Sequence, residues 1–173
     1  MSEMIIGTHC SYCGHKFVEQ LLWPRMCFIC NNESYKNPIP VVVTIVPVYL
    51  DELKCGWLIE QRNINPQKGG WAFPSGYIDF GETWQEAAVR ELKEEVGLAT
   101  TVNEFSLMEV VNSISGNMLI FCTHMGVDVS EIEFEPNREV SAIQFPEHPS
   151  QVELCFPTHN DMWDRYYHTH CLK

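Results

Sequence analysis

The chain has 173 residues, a formal net charge of −12 and an apolar fraction of 45%, room for one ordinary globular domain and a small appendage. Such acidity argues against a general affinity for nucleic acid, which needs basic surface to displace counterions. It still allows phosphorylated substrates where divalent metal bridges the two sets of negative charge.

No apolar run approaches membrane-spanning length, and the start MSEMIIGTHC lacks a basic region followed by a long apolar one. The expectation is a cytoplasmic protein with no membrane partner. Eight cysteines in such a chain suggest metal rather than disulfides. Cys10-Ser-Tyr-Cys13 and Cys27-Phe-Ile-Cys30 supply four thiolates suited to a closed structural zinc site. A redox pair or chance clustering is the competing account, disfavoured because the motif occurs twice. His9 and His15 flank the first pair, but four cysteines already fill a site. Gly14 suits a tight turn, and HKFVEQLLWPRM between the pairs reads as a hairpin. We expect a zinc ribbon over residues 1–37 and a second domain over 38–173. NNESYKNPIP, residues 31–40, is polar, ends in prolines and reads as the linker. Cys55, Cys122, Cys155 and Cys171 are scattered singly; Cys122, inside MLIFCTHM, is expected in the core.

Next, VVVTIVPVYL and WLIEQRN flank DELKCG and read as a β-hairpin, with Pro47 at an edge or a bulge. NINPQKGG is a loop and WAFP a short strand. From Trp84 to Val96 the apolar residues Trp84, Ala88, Leu92 and Val96 recur every four positions, the mark of a helix, which Gly97 stops. Strands are expected at EFSLMEVVNSI, NMLIFCTHM and EVSAIQF, and a short aromatic helix at THNDMWDRYYHTH. Strands with one or two inserted helices make an α+β fold.

The helix carries Glu91, Glu94 and Glu95 within one turn. A solvated helix face tolerates such repulsion at a few tenths of a kcal/mol per pair, roughly. At 100° per residue, however, Glu91 and Glu95 flank the buried stripe and emerge at the rim of the core, where neighbouring charges call for a hard cation. Arg90 is spaced to pair with Glu94 or Glu86. Glu82 suits the positive end of the helix dipole and can cap it, and Gly76 and Gly81 let the preceding loop turn tightly.

Gly76, five residues, Glu82, seven residues, Arg90-Glu91-Leu92, one residue, Glu94-Glu95, one residue, Gly97-Leu98 resembles the box of the Nudix hydrolase family at every fixed position. The preceding Trp71-Ala-Phe-Pro-Ser-Gly76 is similar too, with Ser75 where glycine is usual; serine fits if no positive φ is required. The resemblance implies an α/β/α sandwich on a mixed sheet and hydrolysis of a nucleoside diphosphate linked to another moiety. It also implies two or three Mg²⁺ (or Mn²⁺) on Glu91 and Glu95, with Glu94 a further ligand or the base, and Glu139, ahead of a strand ending at Phe145, completing the set. Glu131, Glu133 and Glu135 are rivals for that last role. Arg90 is placed with the catalytic group, and Arg62, Trp71, Phe73, Gly76 and Glu82 at the substrate. Arg62 is equally a solvated charge, and the aromatics Trp57, Trp71, Phe73 and Phe121, candidates for stacking on base or sugar, suit the core better than a ligand contact. His159, His168, His170 and Cys171 could form a second metal site, though surface positions suit them better.

A zinc ribbon before such a domain resembles the NADH diphosphatase subgroup, but MEVVNSISGNMLIFCTHM stands where that subgroup carries Ser-Gln-Pro-Trp-Pro-Phe-Pro. ADP-ribose, FAD, NAD(H) and related dinucleotides are therefore the expected substrates. RNA-end processing and a non-catalytic ADP-ribose sensor are the alternatives; sensors typically lose box glutamates, and none is lost here. The resemblance leaves room for a homodimer.

Overall fold

The computed structural model describes residues 7–18 and 22–167; His168, His170 and Cys171 lie outside the described residues. The chain divides into two compact units between Pro38 and Ile39. In the first, β1 (Arg25–Met26) pairs antiparallel with β2 (Glu33–Ser34), and His9 bridges Lys16. Among the described residues strand pairing thus brackets each Cys-x-x-Cys turn; residues 19–21, the middle of the hairpin expected over 15–26, lie outside the described residues. The physical reason lies in the turns, where Gly14 N–H donates to Cys10 O at 3.0 Å and Asn31 N–H to Cys27 O at 2.8 Å. Each turn reverses the chain and brings its own flanks together. The expected linker over 31–40 is corrected at its start: Ser34 is buried, and its Oγ accepts from Ser11 N–H at 3.1 Å.

The second unit runs β3 (Pro40–Ile45), β4 (Pro47–Tyr49), β5 (Cys55–Trp57), β6 (Ile59–Arg62), β7 (Trp71–Ala72), β8 (Ser75–Tyr77), α1 (Trp84–Val96), β9 (Phe105–Asn112), β10 (Met118–His124), β11 (Val127–Asp128), β12 (Val140–Gln144) and α2 (Pro157–Tyr166). The strand orders are β8-β3-β10-β9, β11-β4-β5 and β12-β6-β7. β10 runs parallel to β3 and β11 parallel to β4, and the other pairs are antiparallel. The expected hairpin survives only as β4–β5. Pro47 opens β4 at the point where the chain leaves one sheet for another, since proline has no N–H to continue the first ladder.

VVVTIVPV is nearly all apolar because both faces of these strands are covered. Val42, Val46 and Val48 meet Ala88, Leu92 and Val96 of α1, while Val43 and Ile45 meet Met162 and Trp163 of α2. The strands therefore lie between two helices, an α/β/α sandwich. Thr44, buried between them, donates its hydroxyl to Pro74 O at 3.1 Å. Among the described residues no helix is long and apolar enough to cross a membrane.

Candidate active site and cysteine cluster

Helix α1 begins where its capping chemistry dictates. Thr83 Oγ1 accepts from Glu86 N–H at 3.2 Å, and the Glu86 carboxylate accepts from Thr83 N–H at 2.7 Å, a reciprocal capping box. Glu86 is therefore unavailable to Arg90, and Glu82 is not the cap. Glu82 instead takes Arg90 in a two-pronged grip, Nε to Oε1 at 2.8 Å and Nη2 to Oε2 at 2.9 Å. That guanidinium holds the Glu82 carboxyl down to about 2. The helix ends at Gly97, whose φ of 73° and close approach to Glu133 O both exclude a side chain.

So anchored, α1 buries Ala87, Ala88, Leu92 and Val96 and with them Glu91 and Glu95. Arg90 Nη1 donates to Glu91 Oε1 at 2.6 Å and only distantly, at 3.5 Å, to Glu94. Burial raises the Glu91 carboxyl; Arg90 opposes that, and Glu94 and Glu139 push the same way as burial. Glu95 Oε2 accepts from Ser75 N–H at 3.0 Å. Its carboxyl is driven well upward by burial and then by Glu60 and Glu91.

Gly76 is needed here for space rather than for φ, because a Cβ would fall onto the Glu91 carboxylate. Neither Ser75 nor Gly76 is in the left-handed region, so serine is accommodated at position 75.

Glu60 escaped the sequence reading. It sits on β6, 1% exposed, and burial pushes its carboxyl up to about 8 despite nearby Arg62 and a hydrogen bond with Glu95. Among the described residues its Oε2 has no hydrogen-bond partner. Two touching buried carboxyls need a shared proton or a cation between them. The available signal was a lone acid in the apolar strand LIEQR, two residues after the core residue Leu58.

Asn137 was also missed. Its Nδ2 donates to Glu95 O at 3.0 Å while its Oδ1 accepts from Glu139 N–H at 2.9 Å. It ties the end of α1 to the segment that carries Glu139.

A cavity of about 450 Å³ gathers Gly76, Arg90, Glu91, Glu94, Glu95 and Glu139 with Arg62, Phe156, Thr158 and His159. The β9–β10 turn adds Ser113, Ser115 and Asn117. This is the size of an ordinary small-molecule site. Glu131 caps a short turn by accepting from Asp128 N–H at 2.7 Å, and neither it nor Glu133 or Glu135 borders the cavity. Trp71, Phe73 and Glu82, expected at the substrate, are not among the residues lining this cavity. The two aromatics pack with Trp57 and Phe121 in the α2-side core, where their large apolar area is best buried, and Glu82 serves Arg90.

Comparison with known proteins decides the family. The model of the NUDIX domain matches residues 38–164. The chain belongs to the NUDIX domain family. Among similar proteins, the ADP-ribose pyrophosphatase of Methanocaldococcus jannaschii is 50% identical over 56 residues, 32% of this chain and 31% of that one. The NAD-capped RNA hydrolase NudC of Edwardsiella ictaluri is 31% identical over 87 residues, 50% of this chain and 32% of its own length. The matched stretches thus span about a third of either relative. Among solved structures, a NUDIX hydrolase from Nitrosomonas europaea superposes with a TM-score of 0.65 at 21% identity, covering 93% of this chain and 90% of that one, which supports the fold.

The family depends on divalent metal, and this NUDIX domain has donors that fit one. Glu91 and Glu95 are buried beside each other, Glu60 Oε2 has no hydrogen-bond partner among the described residues, and these carboxyls have cationic charge from Arg90 on Glu91 and from Arg62 near Glu60. A carboxylate cluster raised by mutual repulsion and burial is relieved by a hard cation with oxygen preference.

The cysteine cluster fits a softer ion. The Sγ atoms of Cys10, Cys13, Cys27 and Cys30 all lie within 4.8 Å of one another. Cys10–Cys30 and Cys13–Cys27 are each 3.6 Å apart. Tetrahedral thiolates about 2.3 Å from zinc stand roughly 3.8 Å apart. Tyr12 N–H points at Cys10 Sγ at 3.4 Å, and backbone N–H donors, that of Cys13 foremost, bring the Cys10 thiol down to about 6. His9 bonds Thr8 and His15 packs on Phe28, and neither belongs to the cluster of ligand atoms. The expected result is about one zinc per chain in purified protein, lost in Cys27→Ser. Full zinc retention in that variant, measured by atomic emission, would refute a four-cysteine site.

Proposed function

We propose that this chain is a Mg²⁺-dependent hydrolase of the diphosphate bond in a nucleoside diphosphate linked to another moiety, with ADP-ribose, FAD and NAD(H) as the substrate class. One observation carries the reading. Glu91, Glu94, Glu95 and Glu139 converge on a cavity that also presents cationic and neutral donors, the two complements a metal-neutralised diphosphate requires. Glu91 and Glu95 are assigned as ligands, Glu94 as a further ligand or the base, and Glu139 as the group that completes the set. Bound Mg²⁺, two or three ions, would neutralise the diphosphate and activate water for in-line attack.

The protein's own residues then do specific work. Arg90, locked by Glu82 and Tyr77 O, fixes the direction of the Glu91 carboxylate. Ser75 N–H fixes Glu95, and Asn137 holds Glu139 at a set distance from α1. Gly76 keeps the floor open beside Glu91, and Arg62 reaches the substrate. We assign the four cysteines to structural zinc in a ribbon over residues 1–37, ahead of a catalytic domain over 38–173 that works in the cytoplasm.

The experiment is a panel of ADP-ribose, FAD, NADH, dinucleoside polyphosphates and NAD-capped RNA with purified protein. We expect Mg²⁺-dependent release of a nucleoside monophosphate from one of the small molecules, abolished when Mg²⁺ is withheld. Activity confined to the capped RNA would move the assignment to RNA ends. Tight ADP-ribose binding without turnover would make the protein a sensor.

A further inference from the structure

We propose that His159 is a substrate-anchoring residue: its Nε2–H and the Arg62 guanidinium together receive a phosphate oxygen of the nucleotide, as contacts separate from the carboxylates. The identity of the ligand rests on the nucleoside-diphosphate reading above; the donor pair rests on the geometry that follows.

His159 lies in the first turns of α2 and is 3% exposed. Its ring is held by Phe73, stacked at 5.8 Å between centroids, by Phe121 edge-on at 5.6 Å and by Phe156 at 5.1 Å. Phe73 N–H donates to its Nδ1 at 3.2 Å. An Nδ1 that accepts leaves the ring proton on Nε2. Burial, with Arg62 adding to it, brings this imidazole down to about 3, so it stays neutral at working pH and Nε2–H remains a donor. Among the described residues that donor has no partner, and the residue borders the cavity. A donor on a ring held this rigidly at a cavity wall, with no protein acceptor among the described residues, is placed to serve a bound ligand.

Arg62 reaches the same cavity from β6 at 9% exposure. Its Nε is spent on Pro66 O at 2.9 Å, and its guanidinium lies over the Phe156 ring at 5.4 Å. That fixes the plane, and no hydrogen bond among the described residues engages the Nη groups. Among the described residues Arg62 has no ion pair within 4 Å; its pull on Glu60 is through space only, which leaves its hydrogen-bonding fork open to an anionic partner. Phe156 therefore packs against both donors, and Thr158 adds a hydroxyl. Arginine and this histidine tautomer offer hydrogens and accept none at these atoms, so the group they suit is acceptor-only and charged. Phosphate meets both terms, and the arginine fork matches it geometrically.

The test is calorimetric binding of α,β-methylene ADP to the full, zinc-loaded chain with Mg²⁺ present. His159→Asn keeps an acceptor for Phe73 N–H but loses the Nε2 donor, and we expect about tenfold weaker binding. His159→Gln, whose amide reaches the Nε2 position, recovers part of that loss. Arg62→Lys, which keeps the charge and loses the fork, weakens binding about tenfold as well, and the double variant loses less than the product because one phosphate is shared. Adenosine binding and Mn²⁺ affinity by paramagnetic resonance stay at wild-type values in all of them. Unchanged probe affinity in both His159 variants and Arg62→Lys, with native melting, overturns the anchor and leaves the diphosphate reading standing. Failure of the wild type to bind the probe or inorganic pyrophosphate overturns both.

Discussion

Glu95→Gln is expected to cut turnover of the preferred nucleotide substrate by on the order of 10³-fold at saturating Mg²⁺, about 4 kcal/mol of transition-state stabilisation. The substitution is nearly isosteric. The glutamine carbonyl still accepts from Ser75 N–H, now 3.0 Å from Glu95 Oε2, and its amide can donate to Glu60. What disappears is one anionic oxygen set at the most deeply buried position of the α1 cluster, 4% exposed. Folding should survive, and melting in the absence of Mg²⁺ should hold or rise, because repulsion from Glu60 and Glu91 is relieved. Near-normal steady-state turnover at saturating Mg²⁺ would take Glu95 out of the metal site.

The second expectation concerns stability without Mg²⁺. Glu60 has its carboxyl pushed up to about 8 from an ordinary value of 4.5, chiefly by burial, and Glu95 is raised as well. Below the ordinary value both native and unfolded chains hold these protons, and the contribution to stability is fully present. As pH climbs toward 8 the unfolded chain has released them while the native chain retains them, so stability falls. Buried His159, lowered to about 3, and His124, also lowered by burial, act in the opposite sense up to their ordinary value of 6.5. The carboxyls therefore dominate between about pH 6.5 and 8, with a slope near 1.4 kcal/mol per pH unit for each proton retained.

Urea unfolding of resin-treated, zinc-loaded protein should show that decline. Glu60→Gln should flatten it, and Mg²⁺ should restore most stability at the alkaline end, where the ligands are ready to ionise. A wild-type profile as flat as that of Glu60→Gln would mean that Glu60 is already ionised in the metal-free protein and that no proton is shared.

Several features were readable from residue order because local chemistry dictates them. The span Trp84–Val96 is set by a four-residue apolar repeat, a capping box and a glycine with positive φ. Each Cys-x-x-Cys turn presents two sulfurs from one tight reversal, though the 3.6 Å sulfur pairs form between the turns. Glu91 and Glu95 lie at the rim of the core because helical periodicity places them beside Leu92 and Val96. Pairings between distant segments could not be read in this way. That the chain changes sheets at Val46, that β10 lies parallel to β3, and that Glu82 rather than Glu86 holds Arg90 all follow from packing across the fold. Glu60 belongs to the same class. In sequence it is one acid in a strand, and it gains meaning only when β6 is laid against α1 and its carboxyl meets Glu95. His159 is the clearest case, since the same residue on an exposed helix would be a solvated side chain. The burial of α2 against Phe73 and Phe121 fixes its tautomer through Phe73 N–H and sets the residue at the cavity wall. Sequence by itself determined the ligand-bearing turns and the helix, where neighbours along the chain are neighbours in space. Tertiary structure decided which charges are desolvated and which donors are left unmet, because those depend on residues tens of positions apart excluding water together.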